Sequence, residues 1–547
     1  MQAKALHELA EDLFTKKGPL NSLHQEISEN FYCERADFTT GRSMGTDFAA
    51  DLLTSYPLQC RRSLGDQFSV MLRPTARPWF HTSIRHVDMD GTDNETKAAL
   101  QWFERTQRRA MYDPIAKFTR ATKEGDHDFA AFGQTVISVE INKLGNGMLY
   151  RCWHLRDMCW QEDEEGNIAT VFRKWKPTAQ TLVRMYPKTV DAKVTRLDAI
   201  NPFETVECIH MVVAGDMYDK TIPRGMLRWS IVYDIANKTI LEETPIWGRY
   251  YVIPRWQTVS GSQYAYSPAT VCALPDARLI QAMTMTLLEV GEKAANPPIV
   301  ATQDAIKSDM ALYAGGVTYI DADYDERTGD ALRPLGQDFR GLTYGVEMNR
   351  DTREMIYSAF YLNKLSLPER TAAMTAYEVG QHVQEYVRNA LPLFEPMEAE
   401  YNAALCDETF DVLSRRGTFG DRRGWPKALQ AAEIQFTFES PLHDAIEQQK
   451  GQIYQQAQQL MAGAIAIDPS TAFVQKAEVA LRDALNGIGT PARWLNSESF
   501  VKEAKAAQAQ QQEKAQTLAA MQQGSEVAKN LGQAGVMQGG VPVAAPA

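Results

Sequence analysis

Three short stretches hold the residue types that metal or acid–base chemistry needs. Cys152, His154 and Cys159 lie close together. On a strand, positions 152 and 154 share a face, but a structural zinc ion takes four such ligands and a fourth is lacking. Half-buried strand residues are the better reading. Asp321, Asp323 and Asp325 in "DADYDERTGD" start like a calcium-binding loop. That loop asks for glycine at its sixth position and glutamate at its twelfth, where this chain has Glu326 and Leu332. A solvated acidic turn fits better. "EDEEGN" (162–167) offers paired carboxylates, but it reads as a hairpin tip, with no pocket to raise a pKa for catalysis. There is no G-x-x-x-x-G-K-S/T phosphate loop, H-E-x-x-H, C-x-x-C or G-x-S-x-G, and the nine histidines are scattered. The chain is expected to be no enzyme and to need no metal or cofactor.

Basic residues cluster modestly. Arg105, Arg108 and Arg109 fit a solvated helix face or a salt bridge between subunits, and Lys364 and Arg370 lie in "NKLSLPER". Against 57 Lys+Arg stand 69 Asp+Glu, a net charge of −12. Such a surface does not grip nucleic acid everywhere, so any DNA contact must be local or loose. Seven cysteines without a C-x-x-C pair suit reduced thiols. The start "MQAKALHELAEDLFTKK" lacks the apolar run of a secretion signal. Leu279–Leu288, the longest uncharged part of the most apolar helix, is too short for a bilayer. A soluble protein assembled in the cytoplasm, with no membrane partner, is expected.

The elements that position these residues follow from period and punctuation. Helical spacing covers Ala3–Lys16, Asn21–Phe31, Asp47–Ser55 and Leu58–Leu72, the last two broken by Pro57. Asn94 can cap the next helix, and Ile115–Phe132 is another. From about 134 to 258 the texture alternates around Gly-Asn-Gly and "EDEEGN" turns, the mark of hairpins, with a short helix at Ala179–Tyr186. "QYAYSPATVCALPDARLIQAMTMTLLEVGEKAANPPIV" (263–300) then reads as one long helix. Ser267 caps it, Pro268 opens it and Asn296-Pro297-Pro298 ends it. It would run about 40 Å and is apolar on nearly every side. A mixed segment follows, then a helix over 349–362 and a long helical run broken near Leu391-Pro392. "AAEIQFTFESPL" is a last strand. Helices at Pro441–Ile465, Asp468–Leu485 and Ser497–Met521 precede an aperiodic end expected to be disordered.

"GSQYAYSP" at Gly261–Pro268, then Ala273-Leu274-Pro275-Asp276, then Asn296-Pro297-Pro298, resembles the portal, or head-to-tail connector, proteins of short-tailed phages. That family carries G-E-x-Y-G-R-S-P, A-L-P-D and N-P-P in this order. Gly261, Tyr264, Ser267 and Pro268 match; Ser262, Ala265 and Tyr266 depart from the pattern. A second block, "MTAYEVGQHVQE" (374–385), resembles the family's M-T-A-x-E-V helix. The order of elements fits over roughly 1–515.

The resemblance implies an α+β, mainly helical portal fold. It assembles as a cyclic ring, usually of twelve copies, around a channel. Residues 1–267 and 376–436 would form the wing (helical 1–132, β-rich 134–258), 268–295 the stem helix, 296–346 the clip and 347–363 the second stem helix. Residues 364–375 would be the tunnel loop, 437–522 the crown and 523–547 a disordered tail. Leu279, Ile280, Met283, Leu287 and Leu288 would pack the stem. Lys364 and Arg370 suit either the phosphates of double-stranded DNA in the channel, contacted without sequence preference, or wing carboxylates. Tyr319, Asp321, Asp323 and Asp325 in the clip would meet the terminase large subunit and the tail adaptor. Major capsid and scaffolding proteins complete the implied partners. The implied place is the portal vertex of the virion, after assembly in host cytoplasm. Two other readings compete: a nucleic-acid-processing enzyme, testable as nuclease activity with magnesium or manganese, and a cytosolic scaffold built on the C-terminal helices.

Overall fold

The computed structural model describes residues 1–41, 45, 49–50, 52–75, 78–85, 94–295, 299–301, 319, 332–334, 340–365, 397–430, 432–438 and parts of 454–515. The chain opens with helices α1 (Ala3–Lys16) and α2 (Gly18–Phe31). In α1 the buried residues Ala3, Leu6, Ala10 and Leu13 recur at three- and four-residue steps, the stripe that a packed helix needs. Of the helix expected over 47–55, the described residues 49–50 form a turn and 52–55 are irregular. The Leu53 and Thr54 amides donate instead to Gln281 Oε1, at 2.9 and 3.1 Å, so their hydrogen bonds are met without a helix. Pro57 breaks nothing; it lies in the first turn of α3 (Tyr56–Leu72), where its missing N–H is not needed. Strand β1 (Phe80–Ile84), α4 (Asn94–Met111) and α5 (Phe118–Phe132) follow.

The β-rich block is a set of antiparallel meanders. β2 (Ile137–Ile141) and β3 (Met148–Cys152) form the first hairpin. β4 (Met158–Glu162) and β5 (Ile168–Trp175) form the second. Helices α6 (Ala179–Met185) and α7 (Ala192–Ile200) intervene. The sequence reading passed over α7, although Asp191 caps it by accepting from the Lys193 amide at 2.8 Å. Then come β6 (Cys208–Ala214), β7 (Arg228–Asp234), β8 (Thr239–Ile246) and β9 (Tyr251–Val252). The sheets run in the orders β3-β2-β9 and β4-β5-β6-β7-β8. Period-two alternation divides the larger sheet among three cores, the third built by Cys208, Val232 and Leu241 with α6 and α7. Phe172, Ile209, Met211 and Ile231 pack with Leu6 and Ala10 of α1. Trp160, Val171 and Val212 enter the main cluster on the other face.

Short strands β10 (Gln257–Thr258) and β11 (Ala265–Tyr266) lead into α8 (Pro268–Ala295). The chain leaves on β12 (Ile299–Ala301) and returns, antiparallel, on β13 (Leu332–Pro334). Helix α9 is Arg340–Ala359, starting earlier than the expected 347 boundary. It stops before Tyr361, whose φ of 57° takes the chain out of the helix, and α10 is Leu362–Leu365. A π-helical turn, Glu398–Asn402, runs into α11 (Ala403–Arg415). Then follow α12 (Lys427–Gln430), β14 (Ile434–Phe438) and α13 (Ala477–Gly487). Residues 454–465 and 500–508 are also helical. The whole is α+β.

The described residues fall into two compact units. The first lies within 1–80, 106–419 and 436–445, and its main core joins Phe31, Phe68, Phe129, Trp160, Ile280 and Phe360. The second takes 81–105, 420–435 and the described parts of 446–547. There Thr82 Oγ1 donates to Leu100 O at 2.9 Å, and the Phe103 and Trp425 rings lie 4.6 Å apart.

Candidate functional site: the α8–α9 hairpin

The lead-in to α8 is clamped to the end of α5. Gly133 terminates α5 with φ 70°, its N–H donating to Phe129 O at 2.8 Å. A Cβ there would stand 2.0 Å from the Tyr266 carbonyl carbon, so only glycine admits the chain this close. Ser267 Oγ donates to Ala130 O and Thr270 Oγ1 to Ala131 O, each at 2.8 Å. Two hydroxyls thus satisfy carbonyls that the end of α5 would leave open. The expected cap is a secondary role: the Thr270 amide meets Ser267 Oγ only at 3.5 Å. Tyr264 packs on Trp160 at 4.7 Å between centroids, and Trp160 Nε1 donates to Gln263 O at 3.1 Å. Lys17 closes the seat from below. Its buried Nζ donates to Leu155 O at 2.6 Å and Met158 O at 2.8 Å, 5.5 Å from both rings. Burial lowers its pKa to about 8. Tyr264, Ser267 and Pro268 of the family motif therefore lie where α8 is seated.

Buried ion pairs hold α5 itself. Arg35 Nη2 meets Asp128 Oδ2 at 2.7 Å, and Arg73 pairs with Asp126 while donating to Asn402 Oδ1 at 2.8 Å. Burial works against the Arg73 charge, but Asp126, through charge and hydrogen bond, together with Tyr401 and Tyr112 holds its pKa above the ordinary value, while burial pushes the Asp126 carboxyl up.

From this seat α8 crosses the core and leaves it. Ala269, Thr270, Ala273, Leu274, Ala277 and Ile280 are buried. After Ile280 no residue of α8 is fully buried. Helix α9 returns alongside: a Cβ on Gly345 would meet Leu287 Cδ2 at 3.0 Å. Its buried stripe is Asn349, Thr352 and Ile356, with Phe360 buried just past its end, and Thr352 Oγ1 is satisfied on Met348 O at 2.9 Å. Large apolar side chains remain outside on both helices: Met285 and Leu288 are each 54% exposed, Tyr344 72% and Val346 57%.

The five residues expected to pack the stem divide by position. Ile280 belongs to its own chain's core. It faces inward, because the three- and four-residue step from Ala273 and Ala277 reaches it. Met283 and Leu287 are half-buried, and Leu279 and Leu288 are exposed. Lys364 is exposed, its Nζ 5.7 Å from the Tyr361 ring, on a turn anchored by buried Leu362 and Leu365. Tyr319 is exposed. Arg370, Asp321, Asp323 and Asp325, with the segments 366–396 and 516–547 and most of 296–339, lie outside the described residues.

The stretches weighed for chemistry are dispersed. Cys152 lies beside Asp128 and Thr135, with its sulfur 3.6 Å from each. His154 Nε2 meets Asp37 Oδ1 at 2.6 Å, and Cys159 sits in the α1 core. Burial pushes the Cys152 thiol far up and Cys159 to about 12, away from the thiolate that metal binding or nucleophilic attack requires. Among the described residues no group of three His, Cys, Asp or Glu side chains is placed to hold a metal ion, and no helix is long and apolar enough to cross a membrane. Three residues that build the site escaped the sequence reading: Gly133, Thr270 and Gln281. Gly133 carried a signal, glycine directly after a helical run. Gln281 carried none, since its partners are 227 and 228 residues away.

A family profile described as "Bacteriophage head to tail connecting protein" matches residues 3–495. The "Probable portal protein" of Bordetella phage BPP-1 is 25% identical over 447 residues, 79% of this chain and 78% of that one. The "Portal protein" of Salmonella phage epsilon15 is 23% identical over 409 residues, 68% of this chain and 66% of that one. A chain from the solved "Virion of native gene transfer agent (GTA) particle" overlays 74% of this chain and 85% of its own, with 9% identity and a TM-score of 0.35.

Proposed function

The chain belongs to the family of bacteriophage head to tail connecting proteins, and from that premise we propose that it is a portal protein: a ring at one capsid vertex through which double-stranded DNA enters and leaves. The observation that carries the ring is the outer half of the α8–α9 hairpin. Beyond Ile280, Gln281 still holds the Leu53 and Thr54 backbone, but Met285 and Leu288 of α8 and Tyr344 and Val346 of α9 stand exposed among the described residues. Contiguous exposed apolar surface marks an interaction site. In a cyclic ring the hairpins of two neighbours cover both flanks. The wing, stem, clip, tunnel loop and crown keep the boundaries given above, with α8 and the part of α9 from 347 onward as the stem.

In this reading the terminase large subunit supplies the ATP hydrolysis, and the tail adaptor follows it on the clip around Tyr319, Asp321, Asp323 and Asp325. Capsid and scaffolding proteins hold the wing. Lys364 and Arg370 repeat around the channel and touch phosphates weakly, while a net charge of −12 keeps the duplex from sticking. Native mass spectrometry with negative-stain imaging tests the ring. The expected particle is a closed ring of twelve 61.4-kDa chains with a central hole. A stable monomer or dimer at high concentration overturns the reading.

A further inference from the structure

We propose that the basic cavity beside α5 receives the acidic β4–β5 hairpin tip of a second copy of this chain. This rests on the ring reading and names one of its subunit contacts. The cavity, about 230 Å³, is lined by Lys117, Arg120, Glu124 and Arg151 among others. Arg120 is already engaged with Glu124 at 3.0 Å. Lys117 and Arg151 are exposed and have no carboxylate partner among the described residues. Lys117 and Arg151 thus put two unneutralised cations at one cavity, on a chain whose net charge is −12.

The tip has the complementary charge and a fixed shape. Asp163 Oδ1 accepts from the Glu165 and Asn167 amides at 3.0 and 2.8 Å, which orders the turn. Glu164 and Glu165 are exposed, and neither pairs with a cation among the described residues. The two patches lie on opposite sides of α11. Tyr150, beside the basic cavity, bonds Thr409 at 2.8 Å. Asp411 lines a different cleft, of about 590 Å³, which Asp163 and Asn167 also line. Residues two apart on a helix point about 200° from one another. Complementary patches on opposite flanks are what a head-to-tail contact in a closed ring requires, and opposite charge fixes its register.

Charge reversal in two chains tests this. One carries Glu164→Lys with Glu165→Lys; the other carries Lys117→Glu with Arg151→Glu. All four residues are exposed, so each chain should melt like wild type. Alone, each sets like charges together, and the concentration for half-assembly should rise about tenfold or more. Mixed in equal amounts, the two restore opposite charges at every contact of an alternating ring, and assembly should return. If a reversed chain melts early, glutamine at the same positions tests the contact by removing its salt dependence. Reversed chains that assemble like wild type, or a mixture that does not recover, overturn the contact and leave the ring standing. A cavity variant that still forms rings but retains less duplex DNA assigns the cavity to phosphate and likewise overturns it. A wild-type chain that never forms rings overturns both.

Discussion

Gly133 and His210 show how much the first unit asks of single residues. At Gly133 a positive φ and a 2.0 Å approach by the Tyr266 carbonyl coincide, and that one position lets α5 end where α8 begins. His210 is buried on β6, its ring nitrogens 2.6 Å from Tyr251 Oη and 2.9 Å from Ser230 Oγ. Burial, with Arg173 adding, lowers its pKa to about 3. His127 falls to about 4 for the same first reason, and His24 falls well below its ordinary value. In the unfolded chain a histidine titrates near pH 6.5. Between that value and the folded pKa the unfolded state holds the extra proton, so stability rises with pH. It is complete above about pH 6.5 and drains away on acidification, by about 1.4 kcal/mol per pH unit for each such histidine. Urea unfolding at pH 7 and pH 5 should show this decline, and His210→Gln should make it shallower by one histidine's share. An unchanged slope would mean that His210 is not held neutral.

The hairpin is where helix pattern and tertiary context part. Along α8 the inner half is read by its own chain: small residues Ala269, Ala273 and Ala277 let α8 approach α5, and Ile280 fills the core. The outer half stays rich in apolar residues, none of them fully buried among the described residues. The two halves predict different mutants. Ile280→Ala should lower the stability of the isolated chain by about 2–5 kcal/mol, the range for a truncated core side chain. Leu288→Ala should leave that stability within about 0.5 kcal/mol and weaken self-association instead. Denaturant unfolding of the monomer beside sedimentation of the assembled protein separates the two. If Leu288→Ala assembles normally, the outer hairpin is not a subunit interface.

For the whole molecule, assembly should depend on surfaces inside the folded units and not on the chain's end. The last residues, 524–547, carry only Glu526 and Lys529 as charges and show no periodicity, so they offer neither a core nor a coiled-coil seam. Removing them should leave the native mass of the ring unchanged apart from the lost residues. Loss of the ring on that truncation would favour a scaffold that associates through its tail. The acidic balance acts at this scale too: it governs what the particle repels, while the contacts between copies are local.

The chain's own order of residues determined most elements of the first unit and the family. Turn residues between alternating runs marked both hairpins, and Ser267-Pro268 marked the start of α8, because these are local steric and hydrogen-bonding rules. It also showed that residues 268–295 were too apolar to stand alone. Only the tertiary structure decided which parts of that helix a single chain covers. Ile280 goes inward and Leu288 outward because burial depends on what α5 and α9 bring alongside, and no local spacing encodes that. The same holds for residues 52–55, which gave up their expected helix to Gln281, a partner 227 and 228 residues away from Thr54 and Leu53 in sequence. Long-range hydrogen bonding overruled local propensity there, and packing overruled composition along α8.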